Sequence, residues 1–485
     1  MSRSKRACAA CTIDIREESP LRALIMGDMA RGETLRVTMR YPSVEGEPTA
    51  LGKARVLLES AAEVEHALLV QYLYAYFSLK EPDAGHPPGM DAAIESWRGL
   101  IRRTAIEEMG HLLMVQNLLV GIGLPPNVER EDFPYRSDLY PFNFHLDPLS
   151  ERSLAKYVFA ESPPNVPAGA EQAFQRIAAL LAQEGAQANH VAVLYTLLGV
   201  VFMKPGDEGG MDADGDVRSF KMTAAALAKE IVPPGEEDAW HLPDSAWSTP
   251  LGVQVLAGDW GMNGTTTGAS RRVLGAENRE KALIALADVS AQGEGPGGTT
   301  TGDSHFARFF SIFDGTNGVV RFPGPGWEPV RPVPRDPVLP ERVQGGGSAI
   351  TDPVAQAWAR VGDASYALLL GLIPHYLLSP AAERRHFASA AVRREMKGHL
   401  LDARAFLNER PHTAGGLDRA ELPFSLPETV NLPVETIARR AALMARYDLA
   451  LGRLASLKDV LHAAGRDGDY PAAWEAEWKA DRDAV

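Results

Sequence analysis

The feature that most constrains this chain is the stretch 101–115, IRRTAIEEMGHLLMV, which carries two adjacent acids and a histidine. Residues three apart on a helix lie on neighbouring turns of one face, so Glu108 and His111 point the same way. Ile101, Leu112 and Val115 fall on that side too. The sequence therefore predicts a helix that directs a carboxylate and an imidazole into an apolar seam.

Such a pair is unfavourable inside a protein unless something neutralises it. A metal ion would do so, and Glu-x-x-His on inward-facing helices is the ligand unit of carboxylate-bridged di-iron bundles. The alternative for the isolated tetrapeptide is a solvated Glu108 beside a core His111. Glu107 is expected either to support the ligands from behind or to lie at the surface near Arg103.

Composition excludes several classes of protein. With a net charge of −14 and no run rich in Lys or Arg, the chain is not expected to bind nucleic acid. No apolar run approaches the roughly 18 to 20 residues of a spanning helix, and the basic N-terminus lacks the apolar region of a secretion signal. We therefore expect a cytoplasmic protein with no membrane partner. The two cysteines, Cys8 and Cys11, have the Cys-x-x-Cys spacing of a metal or redox pair, but no second pair accompanies them.

Periodicity predicts a mainly α protein with long helices. They are expected at about 51–80, 91–122, 151–160, 171–203 with a break near Gly185, 277–295, from 304 onwards, 352–378, 381–408 and 434–463. The expected organisation is an irregular lead over 1–48 with one possible strand, a metal-binding bundle over 49–320 with an insertion at about 204–275, a Pro/Gly-rich connector over 321–350, and helices over 351–485 that pack on the bundle.

Further ligand candidates lie on other predicted helices. Glu65 interrupts the apolar stripe of the first helix, whereas His66 lies off its centre and is expected to be more easily solvated. Glu294 and His305 flank a Gly/Thr-rich loop that splits a later helix. Carboxylates and imidazoles suit iron or manganese, and also zinc.

Several motifs occur together and in order, and their combination resembles a known family. They are EHALLVQYLYA (65–75), EEMGHLLMVQNLL (107–119), YPFNF (140–144), DPLS (147–150), ESP (161–163), QGEG (292–295) and SHFARF (304–309). This pattern resembles the ferritin-like domain of the iminophenylpyruvate dimer synthase family, whose best-known members are chromopyrrolic acid synthases. The resemblance covers about residues 50–315 and extends more loosely to about 410.

The resemblance implies a ferritin-like bundle and an iron-dependent oxidative enzyme of natural-product metabolism. Family members couple two imino-acid molecules that a partner flavin amino-acid oxidase delivers. By position, the implied metal ligands are Glu65, Glu108, His111, Glu294 and His305. A homo-oligomer is a further expected partnership, and haem is a possible extra cofactor with His375 or His145 as its axial ligand.

One position departs from the family pattern. Where the family has an acid in the buried helix, this chain has Val193. His190, one turn earlier, or Glu161 could supply the missing ligand. Otherwise the site is mononuclear, or its redox chemistry is altered or lost.

The expected function is therefore metal-dependent oxidation or oxidative dimerisation of a small imino or keto acid derived from an amino acid. The alternatives are an iron-handling, ferroxidase-like protein and a non-catalytic ferritin-like remnant. A second Glu/His pair, Glu395 and His399, is flanked by Arg393, Arg394 and Lys397 and is expected on a solvated face.

Overall fold

The computed structural model describes residues 8–15, 35–42, 44, 46–136, 140, 142–162, 169–182, 191–207, 215–262, 273–292 and 303–485. These residues are mainly helical, which confirms the predicted fold class. None of the helices in these ranges is both long enough and apolar enough to cross a membrane.

Two long helices, α1 (Ala50–Ser78) and α2 (Met90–Gly121), pack against each other over the largest helix–helix interface among the described residues. The Thr49 hydroxyl caps α1 by accepting a hydrogen bond from Gly52 N at 3.1 Å. Both helices begin and end within two residues of the predicted bounds. Their contact surface is built from the small and apolar residues whose periodicity identified them.

Shorter helices surround this pair. They are α3 (Glu151–Ala160), α4 (Glu171–Leu181), α5 (Val191–Phe202), α6 (Gly215–Ile231), α7 (Glu237–Trp240), α8 (Arg279–Gln292) and α9 (His305–Asp314). Helix α5 packs on α1, α8 packs on α5 and α2, and α9 packs on α2 and α3. The expected break near Gly185 lies outside the described residues.

The N-terminal ends of two helices explain how the chain places the elements beside α2. Ser150 and Ser153 cap α3 reciprocally, with Ser150 Oγ accepting from Ser153 N at 3.0 Å and Ser153 Oγ accepting from Ser150 N at 2.8 Å. Ser304 caps α9 by accepting from Ala307 N at 3.2 Å. This cap starts α9 at His305, so the imidazole lies at the first residue of the helix.

The C-terminal part is also helical. It comprises α10 (Pro353–Leu377), α11 (Ala381–Ser389), a π-helical segment (Ala390–His399), α12 (Leu400–Asn408), α13 (Thr436–Ala463) and α14 (Ala472–Ala484). Helix α10 packs on α13, α12 and the π-helical segment, and α14 packs on α13. The predicted helix at 381–408 is confirmed, although its middle winds as a π-helix.

The strands are few among the described residues. Strand β1 (Cys8–Ile15) pairs antiparallel with β2 (Leu35–Pro42), and β3 (Pro337–Val338) pairs parallel with β4 (Ser348–Ala349). The sequence identified the second strand of the first pair but not β1, which contains Cys8 and Cys11. Strand pairing joins distant segments, so one strand in isolation gives a weak signal.

Two predictions of solvent exposure are wrong. His66 is fully buried, with Nδ1 2.9 Å from Val128 O and Nε2 bonded to the Tyr366 hydroxyl. Glu395 and His399 are buried as well. The reason is that the C-terminal helices fold back over both positions, α10 over His66 and α14 over the π-helical segment.

Candidate metal centre

A buried cluster of carboxylates and imidazoles lies where α1, α2, α9 and the end of α3 meet. Glu65 comes from α1, Glu108 and His111 from α2, and His305 from α9. Glu161 is the residue that ends α3. All five residues expose 2 % or less of their surface. Segments far apart in the chain therefore bring five metal-ligand side chains into one water-excluded space.

Glu108 lies between the two histidines. Its Oε2 is 3.0 Å from His111 Nδ1, and its Oε1 is 3.0 Å from His305 Nδ1. The imidazole rings are roughly stacked, with centroids 5.4 Å apart and an interplanar angle of 28°. One ligand atom from each of these three residues falls within 4.8 Å of the others. Glu108 is thus positioned to bridge two half-sites, one at each histidine.

The outer ends of the cluster carry one further carboxylate each. Glu65 Oε2 is 3.3 Å from His111 Nδ1, and Glu161 Oε2 is 3.7 Å from His305 Nδ1. We call the Glu65, His111 and Glu108 Oε2 group the first half-site, and the Glu161, His305 and Glu108 Oε1 group the second half-site. Each half-site offers one imidazole nitrogen and two carboxylate oxygens.

Three atoms of the cluster test whether a metal fits. Glu65 Oε2, Glu108 Oε1 and His305 Nδ1 are buried and form no well-aligned hydrogen bond with any described residue. Glu65 Oε2 nevertheless lies 3.3 Å from His111 Nδ1, and Glu108 Oε1 lies 3.0 Å from His305 Nδ1. Buried polar atoms are nearly always hydrogen-bonded, and an orphaned group costs about 1–3 kcal/mol or more when charged. All three are atoms that coordinate iron, manganese or zinc. The donor set therefore fits a metal ion.

The protonation states of the cluster reflect its crowded charges. Burial and the negative charge of Glu108 raise the pKa of Glu65 to about 8. Burial would lower the pKa of His111, but Glu108 and Glu65 outweigh it and raise that pKa to about 10. The pKa of His305 also lies well above its usual value because Glu108 and Glu161 are close, despite the opposing effect of burial. At neutral pH the metal-free cluster therefore holds protons that a bound cation would replace.

Glu107 supports His305 from behind. Its Oε2 is 3.0 Å from His305 Nε2, and its two oxygens accept from Arg308 Nη1 at 2.5 Å and Nη2 at 2.9 Å. Glu107 is 1 % exposed and Arg308 is 2 % exposed. The alternative that Glu107 lies at the surface near Arg103 is wrong, because α9 covers it. Arg103 instead pairs with Asp303 at 3.1 Å, on the outside.

Polar side chains hold the remaining ligands in a similar way. His111 Nε2 lies 3.1 Å from Gln292 Oε1 at the end of α8. The Tyr195 hydroxyl donates to Glu65 Oε1, and the Tyr72 hydroxyl donates to Glu161 Oε1. In both glutamates the second oxygen, Oε2, is the one directed at a histidine.

The helix that contains Val193 supplies no carboxylate to the cluster. That residue is buried in α5, and no acid occurs anywhere in this helix. Tyr195, two residues later, bonds to Glu65 instead, so α5 contributes a hydroxyl to the cluster rather than a ligand. Of the two candidate replacements, Glu161 lies beside His305, whereas His190 lies outside the described residues. Glu294, one of the implied metal ligands, also lies outside them.

The histidines considered for haem lie in different surroundings. His145 Nδ1 is 2.6 Å from Asp336 Oδ2. His375 is buried edge-on against Phe387, with ring centroids 4.3 Å apart, and neither ring nitrogen forms a hydrogen bond within the described part of the chain. Burial, together with the charges of Arg439 and Arg440, lowers the pKa of His375 to about 3. Haem ligation by either residue stays a prediction.

Sequence reasoning did not identify Gln292 or Arg308. It treated Tyr72 and Tyr195 as core aromatics, or as relays of an electron or proton beside iron, without their glutamate partners. Gln292 and Arg308 do occur inside the motifs that carried the family resemblance. Their positions in the sequence do not reveal their partners, because each bonds to a residue of another helix. Gln292, at the end of α8, bonds to His111 of α2, and Arg308 of α9 bonds to Glu107 of α2. Only the assembled bundle shows which ligand each one holds.

Comparison with known proteins agrees with this architecture. Residues 58–235 match the family model described as Ferritin-like. The chain is similar to a dichlorochromopyrrolate synthase from Lentzea aerocolonigenes, with 25 % identity over 68 % of this chain and 31 % of that protein. It is also similar to a 2-imino-3-(indol-3-yl)propanoate dimerase from Chromobacterium violaceum, with 28 % identity over 27 % of this chain and 17 % of that protein. The aligned regions thus span less than a third of either relative.

A solved structure of a ferritin-like protein from Caulobacter vibrioides covers 71 % of this chain and 96 % of its own, with 17 % identity and a TM-score of 0.35. That TM-score is too low to support a statement about the fold. The fold rests instead on the family match over residues 58–235 and on the helices described above. The chain carries a ferritin-like domain, and its predicted resemblance to the iminophenylpyruvate dimer synthase family is confirmed.

Proposed function

We propose that this protein is a metal-dependent oxidative enzyme that acts on a small imino or keto acid derived from an amino acid. The observation that supports a metal best is the position of Glu108, whose two oxygens each lie 3.0 Å from a different histidine Nδ1. Bridging carboxylates of this kind occur in paired-metal bundles. Iron is the proposed metal, and manganese and zinc share its preference for these donors.

In this proposal the first half-site holds one ion through Glu65, His111 and Glu108, and the second holds another through Glu161, His305 and Glu108. Three ionised carboxylates and two neutral imidazoles carry a net charge that two divalent cations more than balance. A further anionic ligand would complete the site, and Glu294, by family position, is the candidate. Glu161 takes the part of the acid that α5 lacks.

A bound iron would supply Lewis acidity and one-electron oxidation chemistry. The chain's own residues would then do the positioning. The apolar walls of α1, α2 and α5 exclude water, and Tyr72 and Tyr195 hold hydroxyl protons at Glu161 Oε1 and Glu65 Oε1. Those two tyrosines are the nearest described groups that could exchange a proton with the ligand carboxylates.

The substrate class rests on the similar proteins. One is named as a dimerase of 2-imino-3-(indol-3-yl)propanoate and the other as a dichlorochromopyrrolate synthase. We propose that this chain accepts an imino acid of the same chemical class and oxidatively joins two molecules of it, with the two electrons and two protons that are lost passing to dioxygen or peroxide. A flavin amino-acid oxidase would be the source of such an imino acid.

Metal content tests the first part of the proposal. Protein purified after growth with iron is expected to hold roughly one or two ions per chain by elemental analysis. Glu108→Gln removes the shared carboxylate and is expected to abolish binding in both half-sites. Glu63→Gln is the matched control, because this residue lies on α1 near Glu65 but only half-buried and outside the cluster. Wild-type protein that takes up no iron, manganese or zinc would contradict the proposal and favour a non-catalytic remnant.

Product analysis tests the second part. Metal-loaded protein is incubated with L-tryptophan and an L-amino-acid oxidase, which generates the imino acid, and mass spectrometry is used to detect a dimer. Dimer is expected with wild-type protein and the Glu63→Gln control, and not with Glu108→Gln. Metal binding without dimer from tryptophan or phenylalanine would refute the proposed coupling reaction. Uptake of many iron ions per chain would indicate iron handling instead.

A further inference from the structure

The two histidines of the centre face different partners on their outer nitrogens. His305 Nε2 lies 3.0 Å from a carboxylate oxygen, Glu107 Oε2. His111 Nε2 lies 3.1 Å from an amide oxygen, Gln292 Oε1. A carboxylate and an amide oxygen can only accept, so both Nε2 atoms carry the proton. Each Nδ1 is then the atom left to bind a metal.

The acceptor of His305 is a fixed negative charge. Arg308 grips both oxygens of Glu107 and is itself held by Asp303, with Nε 2.9 Å from Oδ1 and Nη2 2.8 Å from the backbone oxygen. Arg308 Nη1 also reaches Thr104 Oγ1 at 3.4 Å. This bidentate ion pair keeps a Glu107 oxygen in position to accept the hydrogen bond from His305 Nε2–H.

The acceptor of the His111 Nε2–H group is the neutral amide oxygen of Gln292, which an acid rather than an arginine holds in place. Gln292 Nε2 donates to Asp288 Oδ2 at 2.7 Å, which orients the amide so that Oε1 faces His111. Gln292 and Asp288 are half-buried, whereas Glu107 and Arg308 are buried. The two outer hydrogen bonds therefore differ in charge and in exposure to solvent.

We propose that Glu107 and Gln292 are unequal positioning residues that make His305 a stronger metal donor than His111. A charged acceptor on Nε2–H transfers electron density into the ring and raises the basicity of Nδ1 more than a neutral acceptor does. The second half-site would therefore bind its ion more tightly than the first half-site. This inference rests on the proposed metal site, and it adds that the second half-site has the higher metal affinity.

Cobalt(II) is a suitable probe because it is paramagnetic and accepts the same donors. Proton NMR of the cobalt-loaded wild-type protein is expected to show hyperfine-shifted signals that vanish in D₂O, one for each ligated histidine Nε2–H. Glu107→Gln is expected to move the His305 signal and to weaken cobalt binding by about 10- to 100-fold. Gln292→Leu is expected to weaken it less, because it removes a neutral acceptor.

Arg308→Lys is the second variant of the series. It preserves the positive charge but not the bidentate contact with Glu107. We therefore expect it to shift the His305 Nε2–H signal, as Glu107→Gln does, with a smaller loss of cobalt affinity. If Glu107→Gln fails to fold by circular dichroism, Arg308→Lys carries the comparison with Gln292→Leu. Equal losses of cobalt affinity at the two positions, or an unmoved His305 signal, would overturn the inference. Wild-type protein that binds no cobalt would instead contradict the proposed function.

Discussion

At the scale of single residues, the metal-free cluster holds protons on the side chains that are proposed to bind metal ions. The pKa of His111 is raised to about 10 and that of Glu65 to about 8, so both groups are protonated at pH 7 in the absence of metal. Metal ions bind only the deprotonated ligands, so each must lose a proton on binding. The pH dependence of metal affinity is a direct consequence.

We expect cobalt affinity to rise between pH 6 and pH 8 by at least about tenfold per pH unit, since each displaced proton contributes about that factor below the pKa of its group. The slope should lessen above pH 8, where Glu65 ionises without help. Glu65→Gln removes that proton and is expected to give a shallower rise from a lower affinity. Titrations at four pH values measure this, and an affinity that stays constant from pH 6 to 8 would contradict it.

Two buried tyrosines provide a matched pair for a second prediction at this scale. Tyr195 donates to Glu65, whereas the hydroxyl of Tyr157, equally buried, has no hydrogen-bond partner among the described residues. Tyr195→Phe leaves a buried carboxyl oxygen of Glu65 without this donor, and we expect a loss of about 1–3 kcal/mol in the free energy of unfolding. Tyr157→Phe is expected to cost almost nothing. Urea denaturation of the metal-free proteins compares them, and equal losses would show that the Tyr195 bond contributes nothing.

At the scale of elements, α14 is attached to the π-helical segment through His399. Its Nδ1 lies 3.1 Å from Glu395 Oε2, and its Nε2 lies 2.8 Å from Glu477 Oε2 on α14. Both partners are carboxylates, so both ring nitrogens donate when the imidazole is charged. Burial alone would lower the pKa of His399, but the bonds to Glu395 and Glu477 outweigh it and raise that pKa.

A histidine whose folded-state pKa is raised stabilises the fold fully below its unfolded pKa of about 6.5. The stabilisation is lost as the pH rises through the folded-state value. His399→Gln should therefore lower the melting temperature more at pH 6 than at pH 9. His462→Gln is the control, because that side chain is 80 % exposed in its pair with Asp467 and should change little at either pH. The same loss for His399→Gln at both pH values would refute the prediction.

The elements also show how far the sequence could predict the structure. The bounds of α1, α2 and α3 follow from apolar periodicity and capping residues, which are local signals. The pair Glu108 and His111 was found for the same reason, since both lie on one helix face. Contacts between distant elements carry no such signal, which is why His66, Glu395 and His399 were wrongly expected in solvent. Glu161 was only one of two candidates until the fold placed it beside His305.

At the scale of the whole molecule, the helical bundle and the C-terminal helices share one hydrophobic core that includes residues from Val44 to Trp478. Polar contacts also join the two parts. Arg130 donates to the hydroxyl of Tyr366 in α10 at 3.2 Å, and Arg404 in α12 donates to the backbone oxygen of Phe77 in α1 at 2.7 Å. We therefore expect the two parts to unfold together.

Metal loading tests this cooperativity, because a ligand that binds only the folded state stabilises it by about 2.7 kcal/mol at a free concentration of 100 times Kd. The centre joins α1, α2, α9 and the end of α3, but none of its described ligands lies in the C-terminal helices. If the core unfolds as one unit, added metal should raise the melting temperature reported by the 19F NMR signals of Trp474 and Trp478, in protein labelled with fluorotryptophan, as much as that reported by circular dichroism. A chelator should reverse both shifts, and Glu108→Gln should show neither. A rise in the circular dichroism transition with an unchanged tryptophan transition would mean that the C-terminal helices unfold independently of the metal-binding bundle.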